Sequence, residues 1–209
     1  MAAHLDEQQE LDNFKHFWKG WGRWLFALLL AGGLSYLGYV WYQSHLDGKN
    51  KEAAALLAQM VDKAQTSTDP KALNADLQHL QQNYPASTAT AQATFMAAAA
   101  EYDKGNYPAA TAHYNWILSN QKDSFVLALA VQRLAVTQLQ QKQFDQALKT
   151  LETAVDPAFE ALIQETKGDV LVAQNKPKEA LAAYEAALNK TAKNSKNREL
   201  LDMKILRLK

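Results

Sequence analysis

Glu165 and Asp169 come nearest to a chemical constellation. They stand four positions apart, so on a helix both carboxylates lie on one face. Two carboxylates can act as acid and base when a pocket raises the pKa of one. Without such a pocket they form a solvated acidic stripe, which is the expectation here. His4, His16, His45, His79 and His113 are scattered. No two are spaced i, i+4 and no H-E-x-x-H occurs, so no metal site is expected. There is no G-x-x-x-x-G-K-[ST] phosphate loop and no G-x-S-x-G nucleophile elbow. The chain has no cysteine, which excludes disulfides, thiolate ligands, a cysteine nucleophile and a lipidated cysteine anchor. No catalytic, cofactor or metal residue is assigned, and the chain reads as a non-enzyme. With 22 basic and 22 acidic residues it also lacks the basic excess that a nucleic-acid binder needs.

The elements that would carry any function begin with an apolar run. Trp24 to Tyr42 holds no charged residue. At about 1.5 Å per residue it spans roughly 28 Å as a helix, close to a bilayer's hydrocarbon thickness. Trp18, Trp21 and Trp24 cluster at one end; Tyr39, Trp41 and Tyr42 cluster at the other. Tryptophan and tyrosine favour the two membrane interfaces, where a ring can be half apolar and half hydrogen-bonded. A cleaved signal would end in small residues, whereas Tyr39, Val40, Trp41 and Tyr42 are bulky. A buried soluble helix gives no reason for aromatic residues at both ends. The run is therefore read as a permanent anchor in the lipid bilayer. Lys15, Lys19 and Arg23 precede it, while Asp47, Lys49, Lys51 and Glu52 cancel after it. Positive flanks stay cytoplasmic, which puts the short N-terminus inside and the rest outside. The expected division is a cytoplasmic tail at 1–23, a transmembrane helix at 24–42 and a periplasmic domain at 43–209. Ala27, Ala31 and Ser35 form a small-residue row that can admit another helix, although such rows are common in membrane helices.

Beyond Gln43 the apolar spacing is helical. Ala53, Leu56, Leu57, Met60, Val61 and Ala64 follow a 3.6 period. Asp69-Pro70 reads as an N-cap and first helical residue. Leu73, Leu77, Leu80 and Tyr84 make the next stripe, stopped by Pro85. Three later segments align: GNYPAATAHYNWIL from Gly105, KQFDQALKTLETAV from Lys142 and NKPKEALAAYEAAL from Asn175. Their starts are 37 and 33 residues apart. Ala110, Ala147 and Ala180 occupy one shared position; Tyr114, Leu151 and Tyr184 occupy another. Seven residues before each start stands Ala98, Ala135 or Gly168. These small residues are expected to face the three shared alanines where two helices cross. The longer interval predicts an extended turn near Ser119 to Asp123. The pattern resembles the tetratricopeptide repeat, a helix-turn-helix of about 34 residues. The fold class is thus all-α: a transmembrane helix followed by a tetratricopeptide-like solenoid.

Further residues support a narrower resemblance. QNYP at Gln82–Pro85, KGDVLVAQ at Lys167–Gln174 and LLDMKILRL at Leu200–Leu208 follow the anchor and the degenerate repeats. In this order they resemble the bacterial ancillary subunit of the Sec translocon, a family with a periplasmic tetratricopeptide-like domain. The resemblance implies an inner-membrane adaptor without enzymatic activity. It implies association with the translocon channel and with a membrane-anchored periplasmic chaperone of prolyl-isomerase type. It further implies contact with exported client polypeptides, and a link between the cytosolic tail and a stress response regulator. A membrane-tethered scaffold for another envelope-assembly complex is the alternative.

The inner face of such a solenoid is lined by the first helix of each repeat. By alignment that row is Gln92, Phe95 and Tyr102, then Gln132, Val136 and Leu139, then Glu165, Asp169 and Val172. It is expected to bind protein, with the competing expectation that Phe95, Val136 and Leu139 are core between repeats. The stretch with Leu200, Leu201, Met203, Ile205, Leu206 and Leu208 reads either as a cap on the solenoid or as a docking surface.

Overall fold

A computed structural model describes Lys15, residues 18–66 and residues 70–209. The Asp69 cap and the tail before Lys15 lie outside these. The described residues form helices and their connections, with no strand. The chain divides into two compact units at Lys49/Asn50.

In the first unit, Trp18–Gly22 make one π-helical turn that leads into α1 (Arg23–Thr66). Residues 23–42 are exposed throughout, with Leu28 71 % and Trp41 72 % accessible. The run is therefore not a core helix of this chain. Among the described residues, the helix that contains it is the one long and apolar enough to cross a membrane.

The second unit begins inside α1, with no break at Tyr42. Ala53, Leu57 and Met60 are buried against Leu77 and Leu80 of α2 (Pro70–Asn83) and Ala93 of α3 (Thr88–Asp103). Three helix pairs follow: α3 with α4 (Tyr107–Asn120), α5 (Ser124–Gln140) with α6 (Phe144–Leu151), and α7 (Glu160–Ala173) with α8 (Pro177–Lys190). Successive helices pack on one another, and α3 meets α5 as α5 meets α7. The first helices of successive repeats therefore stand side by side, as a solenoid requires.

Each pair is closed by the same turn. Gly105, Lys142 and Asn175 have φ of 76°, 58° and 59°, and they are the starts of the three aligned segments. Gly105 N donates to Tyr102 O and Asn106 N to Glu101 O. Lys142 and Gln143 bond in the same way to Leu139 and Gln138; Asn175 and Lys176 bond to Val172 and Leu171. This paired bonding ends a helix through one left-handed residue. Glycine adopts that conformation without strain; lysine and asparagine do so at a cost.

Two expectations are corrected. Ser119 and Asn120 remain helical, and only Gln121, Lys122 and Asp123 connect α4 to α5. The carboxylate of Asp123 accepts from Val126 N at 2.9 Å and so starts α5 early. The extra length of that interval lies in the helices, not in a turn. The longer connection instead follows α6, which stops at Leu151. At the third crossing, a Cβ on Gly168 would lie 2.3 Å from Tyr184 Cε1. The ring of Tyr184, rather than Ala180, claims the space next to Gly168. The small residues at the other crossings, Ala98, Ala110, Ala135 and Ala147, are wholly buried.

The last helix, α9 (Asn197–Leu206), covers the end of the solenoid. Leu201 and Ile205 are buried with Leu171, Ala183, Tyr184 and Ala187. Arg198 donates to the carbonyls of Leu188 and Thr191, both at 2.9 Å, and so satisfies the end of α8. Lys204 Nζ reaches Glu165 Oε1 at 2.8 Å and Asp169 Oδ1 at 2.7 Å. Tyr184 OH donates to the same Asp169 oxygen at 2.7 Å, and Lys204 sits 5.4 Å above its ring. The two acids thus share one lysine of α9 and are not a solvated stripe. Burial, then the bond to Asp169 and the negative charges nearby, push the Tyr184 pKa well up. Burial pulls Lys204 down, but its bonds to Asp169 and Glu165 outweigh this and leave its pKa raised.

Three outcomes are expected in denaturation of the purified chain. Gly168→Ala lowers stability by about 1–3 kcal/mol, because the ring of Tyr184 must move. Lys142→Gly raises it by up to about 1 kcal/mol through relief of the left-handed lysine, less the entropy that glycine adds to the unfolded chain. Lys204→Met costs about 1–2 kcal/mol at neutral pH. That is less than a fully buried pair would lose, because the Asp169 side chain keeps 39 % exposure. Both raised pKa values favour the folded state while the unfolded groups are still protonated. Their contribution is complete below about pH 10 and is lost as pH climbs beyond it. A pH titration by circular dichroism checks this, and Lys204→Met should show a weaker alkaline decline.

Candidate functional site

A groove of about 840 Å³ runs along the side-by-side first helices α3 and α5. Its α3 wall carries Gln92, Phe95, Met96 and Tyr102; its α5 wall carries Phe125, Leu129, Arg133 and Val136. Both walls follow from helical spacing, since steps of three and four bring those side chains onto one face. Phe95 is half-buried, and its ring lies 6.1 Å from that of Tyr114, which is buried on α4. The Tyr102 ring meets Tyr107 edge-on at 5.3 Å. Phe125 is 56 % exposed and touches Phe159 at 5.7 Å. Burial raises the pKa of Tyr102 and of Tyr114, so both phenols stay neutral at ordinary pH. Asp103, Asp123 and Arg133 are the charged residues along the groove. Aromatic faces with a few polar groups bind by burial and shape. Among the described residues no cluster of His, Asp and Glu suits a metal ion.

The groove collects some of the row expected from sequence and omits the rest. Gln92, Phe95, Tyr102 and Val136 line it. Gln132 is half-buried to one side on α5, and Leu139 packs against the core shared by α5, α6 and α7. Glu165 and Asp169 are bonded to Lys204 beneath α9, and Val172 is 43 % exposed on α7. Phe95 is core and groove wall at once, since it also packs on the α3–α4–α5 cluster. Met96, Phe125, Leu129 and Arg133 were missed by the alignment of repeats. The signal for them was present: Phe125, Leu129, Arg133 and Val136 are spaced 4, 4 and 3 residues apart. That spacing becomes legible only once α5 is known to start as early as Ser124.

The comparisons with known proteins agree with this architecture. The tetratricopeptide repeat-like domain family matches residues 15–209. The ancillary SecYEG translocon subunit of Neisseria gonorrhoeae is 56 % identical over 209 residues, which is the whole of both chains. Proteins of the same name from Haemophilus influenzae and Escherichia coli are 27 % and 26 % identical. They align over 90 % and 98 % of this chain and over 91 % and 98 % of their own length. No solved structure matches significantly. With its anchor-like helix, its three repeats and its full-length relatives, the chain belongs to the ancillary SecYEG translocon subunit family of tetratricopeptide repeat-like proteins.

Proposed function

We propose that this chain is a non-enzymatic adaptor at the Sec translocon. It links the channel to periplasmic chaperones, including a membrane-anchored one of prolyl-isomerase type, and helps transfer exported polypeptides. The observation that carries this is the full-length match to a translocon subunit, 56 % identical without gaps in coverage. The fold supports it in a second way. The groove between α3 and α5 offers exposed aromatic and aliphatic side chains. Such a surface accepts an apolar segment of another polypeptide and releases it, because burial rather than covalent chemistry holds it.

The orientation belongs to the same proposal. Residues 1–23 are cytoplasmic, 24–42 cross the inner membrane and 43–209 face the periplasm. The positive flank at Lys15, Lys19 and Arg23 supports this arrangement. An anchored domain meets neighbouring membrane proteins at high effective concentration, so weak groove contacts suffice.

One preparation tests both parts. A photocrosslinker replaces Phe95 in the full-length protein, and protease is added to spheroplasts. The expected result is digestion of the helical domain from outside, with crosslinks to the channel, to the chaperone or to exported chains. Protection of the domain until lysis reverses the topology. Crosslinks confined to other envelope proteins favour a scaffold in a different assembly.

A further inference from the structure

We propose that the outward face of α9 is a two-fold docking surface for a second copy of this chain. The terminal helix of a solenoid ordinarily turns a polar side to water. Here Leu200 is 43 %, Met203 56 % and Leu206 71 % exposed. The helix buries Leu201 and Ile205 on its inner side, so Met203 lies at the centre of the outer one. The surrounding residues are ordered symmetrically about it. Leu200 precedes Met203 by three positions and Leu206 follows by three; Glu199 precedes by four and Arg207 follows by four.

This order matches an antiparallel copy of itself. A two-fold axis through Met203 sets Leu200 against Leu206 of the second copy and Met203 against its counterpart. It also sets Glu199 beside Arg207 of the second copy, at both ends. Neither Glu199 nor Arg207 takes part in an ion pair among the described residues. A parallel arrangement would set like charge against like. A lipid surface would be met best by cations alone around the apolar stripe, whereas the acids Glu199 and Asp202 are exposed beside it. Two-fold contacts require each patch to be its own complement, and this one is. The patch is one short helix face, well below the roughly 1,200–2,000 Å² of a stable interface. The contact is therefore weak in dilute solution and forms where copies share a membrane.

The absence of native cysteine makes the test direct. Met203→Cys in the full-length protein, oxidised mildly in its own membranes, is expected to give a disulfide-linked homodimer. Lys178→Cys, exposed on α8, is the control and is expected to stay monomeric. Glu199→Arg and Arg207→Glu, each added to Met203→Cys, should lose most of the dimer; the two together should restore it. All these positions are exposed, and helical content by circular dichroism confirms folding. If a charge variant loses that signal, the Met203/Lys178 comparison decides alone. A Met203→Cys dimer no stronger than that of the control overturns the proposal. So does a crosslink to a different protein, or a double reversal that stays folded and fails to restore the dimer.

Discussion

No helix pair between residues 88 and 190 can bury its apolar surface alone. Each must lie against the next, and that constraint fixes the remaining features. Close stacking needs the two helices of a pair to approach at small residues, which is why Ala98, Ala110, Ala135, Ala147, Gly168 and Ala180 are buried. It needs the chain to reverse within a few residues, which is why one residue per turn adopts positive φ. It sets first helices beside first helices, and the groove between α3 and α5 results. The surface that suits a partner is thus a by-product of how the core is closed.

The third repeat solves the same problem differently. Its crossing residue has no side chain, and the space is filled by Tyr184. The hydroxyl of that tyrosine then needs an acceptor, since burial of an unpaired polar group is costly. Asp169 supplies it, and the charge of Asp169 is balanced in turn by Lys204. Packing, hydrogen bonding and charge are linked in one chain of necessity, from an absent Cβ to a lysine 36 positions away. The first two repeats have alanine at this point, Ala98 and Ala135.

What the sequence disclosed follows from what is periodic. The anchor-like run, the three repeats and their shared small residues were legible, because spacing alone carries them. The turn conformation was harder to read, since Lys142 and Asn175 stand where glycine is the usual signal. The pairing of Glu165 and Asp169 with Lys204 was not legible. Two acids one turn apart look solvated until a cation from another helix is placed over them. Half of the groove was also hidden. The α5 wall depends on where Asp123 starts that helix, and an alignment of repeats transfers register without transferring helix length.

The reach of Lys204 has a mechanical consequence. In a linear array an end helix that touches only its neighbour frays by itself. Here α9 is bonded past α8 to α7, through Glu165 and Asp169. Detaching it strips two carboxylates of their counter-ion as well as uncovering Leu171 and Tyr184. The far end of the solenoid is therefore tied together as a three-helix block, not finished by a rung held at one side alone.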